Sequence, residues 1–228
     1  MKQTVLAIDI MGGDQGPEAT LEGVAMASKI YPNVKFKLFG DMKKSEPKLK
    51  INGSNNYEFI HTEESIKSDD EPVNALRKLK KSSMRLGIND VSSNEADGFV
   101  SAGNTGALMA ISKFVLRTLN GISRPAIAGL MPTLKGQTVI LDLGANVDCS
   151  NDNLVQFALM GDIFSQTVLG IQNPRIGLLN VGSELIKGNS IVKQTHSDLS
   201  KITGKINFCG FVEGNDINKG VVDVVVTD

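Results

Sequence analysis

An α/β fold built on a largely parallel sheet is the class this 228-residue sequence predicts, and three observations predict it. Short apolar, β-branched runs alternate with segments of helical periodicity along the whole chain. Several of those runs are apolar on successive residues, the pattern of strands covered on both faces. The loops that follow the runs are rich in Gly, Asn and Asp, where the carboxyl ends of strands in open α/β sheets collect ligands.

Taken in order, TVLAIDI reads as the first strand, and the Asp9 inside it argues against a secretory leader. EATLEGVAMASKIYP reads as a helix entered through Pro17, a favoured first-turn residue. VKFKLFGD and YEFIHT are the next strands, separated by the most polar stretch of the chain, residues 42–56, expected as a surface loop. One helix is expected over EPVNALRKLKKSSMRLGIND, with Asp69, Asp70 and Glu71 matching its N-terminal dipole and Arg77, Lys78, Lys80 and Lys81 following. ADGFVSA is a strand running into the helix TGALMAISKFVLRTL, for which Thr105 is the simplest N-cap. AIAGL and TVILDLG are strands, DNLVQFALMGDIFSQTVLG a helix, RIGLLNVG a strand, GNSIVKQTHSDLSKIT a helix, and INFCGF and VVDVVVTD the last two strands.

Composition removes several function classes. The net charge of −1 and the absence of Trp speak against a nucleic-acid partner. Cys149 and Cys209 fit no metal spacing and read as reduced thiols. His61 and His196 are the only histidines, and no H-E-x-x-H or clustered ligand set occurs, so no metal site is expected. No run approaches the roughly 18 apolar residues of a membrane span. The chain stops on a strand signature at Asp228, from which a C-terminally incomplete single domain over 1–228 is expected.

Four loops carry the chemistry. SAGNTGALMA places Ser101, Gly103, Asn104, Thr105 and Gly106 between a strand and a helix start, where unpaired N–H groups and small residues make a phosphate cradle. A capped helix start is the competing reading of the same residues. AIDIMGGDQGPE repeats that grammar with Asp9, Gly12, Gly13 and Asp14. It is not G-x-G-x-x-G, so a dinucleotide cofactor is not expected even with Asp41 after the second strand. LDLGANVD places Gly144, Asn146 and Asp148 past a strand, and LLNVGSELIKGN places Asn180, Gly182, Glu184, Lys187 and Asn189 past another. There is no Walker A pattern around Lys187, no G-x-S-x-G elbow and no Cys/His pair. Acyl or phosphoryl chemistry here would therefore be direct transfer between bound substrates. Inorganic phosphate is itself nucleophilic and needs N–H donors, a cation and an oxyanion site.

Taken together, AIDIMGGDQGPE, DDEPVNALRKLKKSSM, SAGNTGALMA, RPAIAGLMPT, LDLGANVD, GLLNVGSELIKGN and GFVEGNDINKGVVDVVVTD resemble, in order, the phosphate acyltransferases of bacterial phospholipid synthesis (the PlsX family) over nearly the whole chain. The resemblance implies transfer of a fatty acyl group from acyl carrier protein to inorganic phosphate, forming acyl phosphate for a membrane glycerol-3-phosphate acyltransferase. It implies a three-layer α/β/α fold like that of phosphotransacetylases and isocitrate/isopropylmalate dehydrogenases, a cytoplasmic homodimer with peripheral membrane contact, and no cofactor. Lys187 matches the family's active-site lysine, to which we assign neutralisation of phosphate or of the developing oxyanion. Ser101 to Gly106 would supply backbone donors, Asp9 to Asp14 would line the same cleft, and Asn146, Asp148 and Asn180 would be wall residues. Arg77, Lys78 and Lys81 would meet the acidic carrier protein by charge complementarity. The family continues past VVVTD into a loop with a second active-site asparagine, so this chain alone is expected to be inactive and poorly stable. Two other readings remain: a phosphotransacetylase- or dehydrogenase-like enzyme on a small substrate, and a non-catalytic phosphate-binding module.

Overall fold

Apolar residues occupy successive positions in several strand runs, so those strands have two faces to bury, and cores form on both. The computed structural model describes residues 2–45, 56–202 and 204–228. The chain divides into two compact units, Met1–Thr118 and Leu119–Asp228, each with its own sheet. A single sheet is therefore replaced by two, both mostly parallel.

The first unit runs β1 (Val5–Asp9), α1 (Gly16–Ile30), β2 (Lys35–Gly40), α2 (Met42–Ser45), β3 (Tyr57–His61), α3 (Pro72–Lys78), α4 (Ser83–Ser92), β4 (Gly98–Val100) and α5 (Thr105–Leu116). Its four strands are all parallel in the order β3-β2-β1-β4, with Val5 opposite Lys35 and Ile8 opposite Val100. Ile8, Phe36 and Leu38 pack with Leu21 and Val24 of α1. Ala7 and Phe39, one residue out of phase, pack on the opposite face beside Leu86 and Val91 of α4. A third cluster ties Ala75 of α3 to Met84 and Ile88 of α4 and Ala107 and Ile111 of α5.

The helix expected over 71–90 is two helices. Ser82 takes an extended backbone and its hydroxyl accepts from Arg85 N–H, which caps α4 anew. The carbonyl of Lys81 is meanwhile taken by the Thr62 hydroxyl at 2.6 Å, so it is lost to a helical ladder. The polar stretch 42–56 begins with the short α2, and residues 46–55 lie outside the described residues.

The second unit runs β5 (Gly129–Thr133), β6 (Gly136–Leu141), α6 (Asn151–Val168), β7 (Arg175–Leu179), α7 (Ser190–Lys201), β8 (Asn207–Val212), α8 (Gly214–Lys219) and β9 (Val224–Val226). The strand order is β5-β6-β9-β7-β8, parallel except for the β5–β6 hairpin. Val139, Leu141, Ile176, Leu178, Val224 and Val226 bury one face under α6 and α7, where Phe157 is fully enclosed. Ile140, Val212 and Val225 form the opposite core, against which Ile217 of α8 packs. The strand expected at AIAGL is displaced to Gly129–Thr133, because Ile127 spends its N–H on Asp142 Oδ1 and its carbonyl on Leu143 N–H. Pro132 is tolerated because β5 is an edge strand. The short α8 was not anticipated from the sequence.

Candidate functional site

At the carboxyl end of β1 the chain has spent a buried charge. Asp9 is 3% exposed. Its Oδ1 accepts from the Ser83 hydroxyl at 2.6 Å and from Met11 N–H at 3.1 Å, and its Oδ2 accepts from the Ser101 hydroxyl at 2.7 Å. One carboxylate thus joins the loop after β1, the loop after β4 and the first turn of α4, three elements far apart in sequence. Charge-assisted bonds of this kind are the strong class, which is how a buried carboxylate is tolerated. Gly12 sits where a Cβ would come within 2.7 Å of Asp9 Oδ2 and 2.8 Å of Gly103 N, so only glycine lets the two loops close on each other. Gly13 lies against Ala102 in the same way, with a positive φ of 89°.

Asp9, Gly12, Gly13, Ser101 and Gly103 are therefore brought together. Asp14 is exposed and makes none of these contacts. Gly103 does not offer its N–H to a ligand here, because it donates to Ser101 Oγ at 3.0 Å. Asn104, not Thr105, caps α5: its Oδ1 accepts from Ala107 N–H at 2.9 Å. Its Nδ2 reaches the carbonyls of Lys67, Ser68 and Asp70, so Asn104 also fastens the loop that leads into α3. Thr105 and Gly106 are exposed in the first turn of α5, and their N–H groups have no intrahelical acceptor. A cavity of about 470 Å³ opens beside this cluster, lined by Ile8, Val24, Phe36 and Val100 and made polar at Asp9 and Ser101.

The second unit has its own carboxyl-end loops. Asp142, 2% exposed, follows β6 and was not singled out from sequence. Its Oδ1 accepts from Ile127 N–H at 2.7 Å, and its Oδ2 accepts from the backbone and side-chain amides of Asn146 at 2.7 and 2.9 Å. Asn146 also donates to the Pro125 carbonyl, so it holds the loop rather than lining an open wall. Asp148 is exposed, and its backbone carbonyl accepts from Arg124. Cys149 next to it is buried, and burial, then the Asp228 and Asp142 carboxylates, push its thiol up, which makes it a poor nucleophile.

After β7, the buried Asn180 donates through Nδ2 to the carbonyls of Gly182 at 2.9 Å and Lys187 at 3.3 Å, clamping the whole 182–187 turn. Lys187 is half-exposed and its Nζ lies 2.9 Å from Glu184 Oε1. The Lys187 hydrogen bond holds the Glu184 carboxyl below its ordinary range. Asn189 caps α7 through Val192 N–H. A cavity of about 320 Å³ lies at the carboxyl ends of β7 and β9, lined by Asn180, Gly188, Asn189, Gly214, Thr227 and Asp228. Lys187 stands next to Gly188 in sequence but does not line that cavity.

Arg77 and Lys78 are exposed in the last turn of α3, and Lys80 and Lys81 are exposed in the connection to α4. None of the four side chains forms an ion pair among the described residues, although the Lys81 backbone N–H donates to Glu64 Oε2 at 3.0 Å. No helix of the described residues is long and apolar enough to cross a membrane. No group of three or more potential metal-ligating side chains occurs among them.

The chain is 54% identical over 227 residues to a phosphate acyltransferase of Paramagnetospirillum magneticum, covering 98% of this chain and 64% of that protein. It is 50% identical over 230 residues to the phosphate acyltransferase of Rhodospirillum centenum, covering 63% of it. The chain thus spans a little under two thirds of the length of these relatives. Among solved structures, a phosphotransacetylase from Streptococcus pyogenes superposes with a TM-score of 0.68 at 17% identity, over 98% of this chain and 77% of that one. A branched-chain phosphotransacylase from Enterococcus faecalis superposes at 0.62 with 16% identity, over 98% of this chain and 78% of that one. The fold is thus the phosphotransacetylase-like α/β class expected from sequence. The model of one family, described as fatty acid synthesis protein, matches residues 4–228, and the chain belongs to that family.

Proposed function

We propose that this protein carries out acyl transfer to inorganic phosphate, taking a fatty acyl group from the thioester of acyl carrier protein and forming acyl phosphate for phospholipid synthesis. The observation that carries the reading is the turn after β7, where Asn180 fixes the backbone of a cation, Lys187, beside the start of α7. The names of the relatives support it from outside the structure.

In this reading a phosphate oxygen attacks the thioester carbonyl carbon, the C–S bond breaks, and the carrier leaves as a thiolate that takes a proton from solvent. Lys187 offsets phosphate charge or the oxyanion that develops on the carbonyl oxygen. The first-turn N–H groups of Ser190 and Ile191 have no intrahelical acceptor and add donors at the same loop. In the other unit, the Asp9 network holds the Gly12–Gly13 and Ser101–Gly103 loops in one shape, and Thr105 and Gly106 present the start of α5. In the second unit Asn146 and Asn180 hold the loops after β6 and β7, and Asp14 and Asp148 stand exposed as outer wall residues of their own loops. The unpaired Arg77, Lys78 and Lys81 receive the acidic carrier protein. A cytoplasmic homodimer with peripheral membrane contact, handing acyl phosphate to a membrane glycerol-3-phosphate acyltransferase, completes the proposal.

The test incubates the protein at its full encoded length with acyl-acyl carrier protein and follows free carrier thiol with and without inorganic phosphate. Phosphate-dependent thiol release, with acyl phosphate trapped by hydroxylamine and lost in Lys187→Ala, is expected. Release that ignores phosphate overturns the reaction, and equal use of a short coenzyme A thioester overturns the carrier-protein assignment.

A further inference from the structure

We propose that Glu184 is an internal stand-in for the anion, holding the Lys187 amine in the unliganded protein and giving it up when phosphate arrives. The inference rests on the function proposed for Lys187 and concerns a residue that function does not use.

Three features of the turn point to it. The backbone is fixed at both ends of the loop, since Asn180 holds the carbonyls of Gly182 and Lys187, and Lys187 N–H donates to the Glu184 carbonyl at 3.0 Å. That turn puts the two charged side chains on one side, where Nζ meets Oε1 at 2.9 Å. Both side chains lie over Gly182: a Cβ there would come within 2.5 Å of Lys187 Cδ and 2.9 Å of Glu184 Oε2. The missing side chain at 182 is what lets the amine fold back onto the carboxylate.

The strength of the pair suits exchange. Lys187 and Glu184 remain 48% and 55% exposed, and solvent-exposed pairs of this kind shift an equilibrium only about twofold to fivefold. A dianionic phosphate supported by further donors outcompetes such a partner, whereas a buried, geometrically locked pair would not yield. Because only side chains move, the site keeps its backbone while the amine changes partners. Glu184 is a positioning residue: it parks the amine and sets how much phosphate is needed to free it.

The experiment measures amine labelling of Lys187 by mass spectrometry, with the exposed Lys193 of α7 as internal reference, across a titration of inorganic phosphate. Wild type, Glu184→Gln and Gly182→Ala are compared, with circular dichroism confirming the fold of each. Without phosphate, both variants should label Lys187 about twofold to fivefold faster than wild type, since each breaks the pair. The phosphate concentration that half-protects Lys187 should fall by a similar factor in Glu184→Gln. Unchanged labelling in both variants, or equal half-protection in wild type and Glu184→Gln, overturns the role of Glu184 while leaving phosphate at Lys187 standing. Absence of phosphate protection in every protein removes phosphate from Lys187 and takes this inference with it.

Discussion

The Ser83 hydroxyl donates to the Asp9 carboxylate at 2.6 Å, across 74 positions of sequence, and both residues are buried. The bond ties the first turn of α4 to the end of β1. Ser83→Ala leaves Asp9 Oδ1 with only Met11 N–H at 3.1 Å. Hydrogen bonds to buried charged groups contribute about 1.5–3 kcal/mol, so urea unfolding of Ser83→Ala should show a loss of that order. A loss below about 0.5 kcal/mol, the range of ordinary surface changes, would show that the carboxylate is held by other means.

The cap of α5 gives a paired prediction. Asn104→Ala removes the bond to Ala107 N–H and the three carbonyl contacts to residues 67–70, and should cost about 1–2 kcal/mol. Thr105→Ala should change stability by about 0.5 kcal/mol or less, because that side chain caps nothing. The reverse ranking would restore Thr105 as the cap.

Asp198 gives a pH dependence with a defined sign. Hydrogen bonds from Lys201, then Gln194 and Asn151, hold its carboxyl at about 2, and Asn151 reaches it from α6. In the unfolded chain an Asp titrates near about 3.9, so the folded state binds the proton less readily. The stabilisation is present above about pH 4 and disappears as pH falls through about 2. Asp198→Asn should flatten the stability profile in that window, and an NMR titration midpoint near the unfolded value would contradict the network.

Phe157 fills the centre of the second unit's core with no exposure. Phe157→Ala should cost about 3–5 kcal/mol, read as a drop in the thermal midpoint. Restoration by Phe157→Leu to within about 1.5 kcal/mol is expected if volume, and not the ring, is what the site needs.

Reversing Arg77, Lys78 and Lys81 to Glu should slow association with an acidic carrier protein at low salt and leave thermal stability within about 0.5 kcal/mol. These side chains are exposed and unpaired among the described residues, so a large stability change would mean they serve the fold instead.

The alternation of strands and helices was legible in the sequence because its causes are local: periodicity, Pro17 in the first turn of α1, and the glycine-rich breaks after strands. The helix break at Ser82 was not, since it depends on Thr62 capturing the Lys81 carbonyl from a distant strand end. The same holds for the site. The loop glycines announce themselves, yet whether Asp9 faces a ligand or a hydroxyl depends on Ser83 and Ser101, far along the chain. Asp142 carried a weak signal, an acid immediately after an apolar strand and before Gly144, that only its buried bonds to Ile127 and Asn146 explain. Ser82 and Ser83, two small polar residues amid helical periodicity, left a local trace that did not by itself place the boundary without Thr62.

The position of β9 between β6 and β7 bears on how the protein is made. On a ribosome the first unit has all its strands once Val100 has been synthesised. The second must hold Val139–Leu141 and Ile176–Leu178 without their shared neighbour until Val224–Val226 arrives. Two apolar strand edges stay open during that delay, which is the kind of intermediate that pairs with other chains. While those edges are open the nascent chain's dependence on chaperones should be greatest, in the interval between β7 and β9.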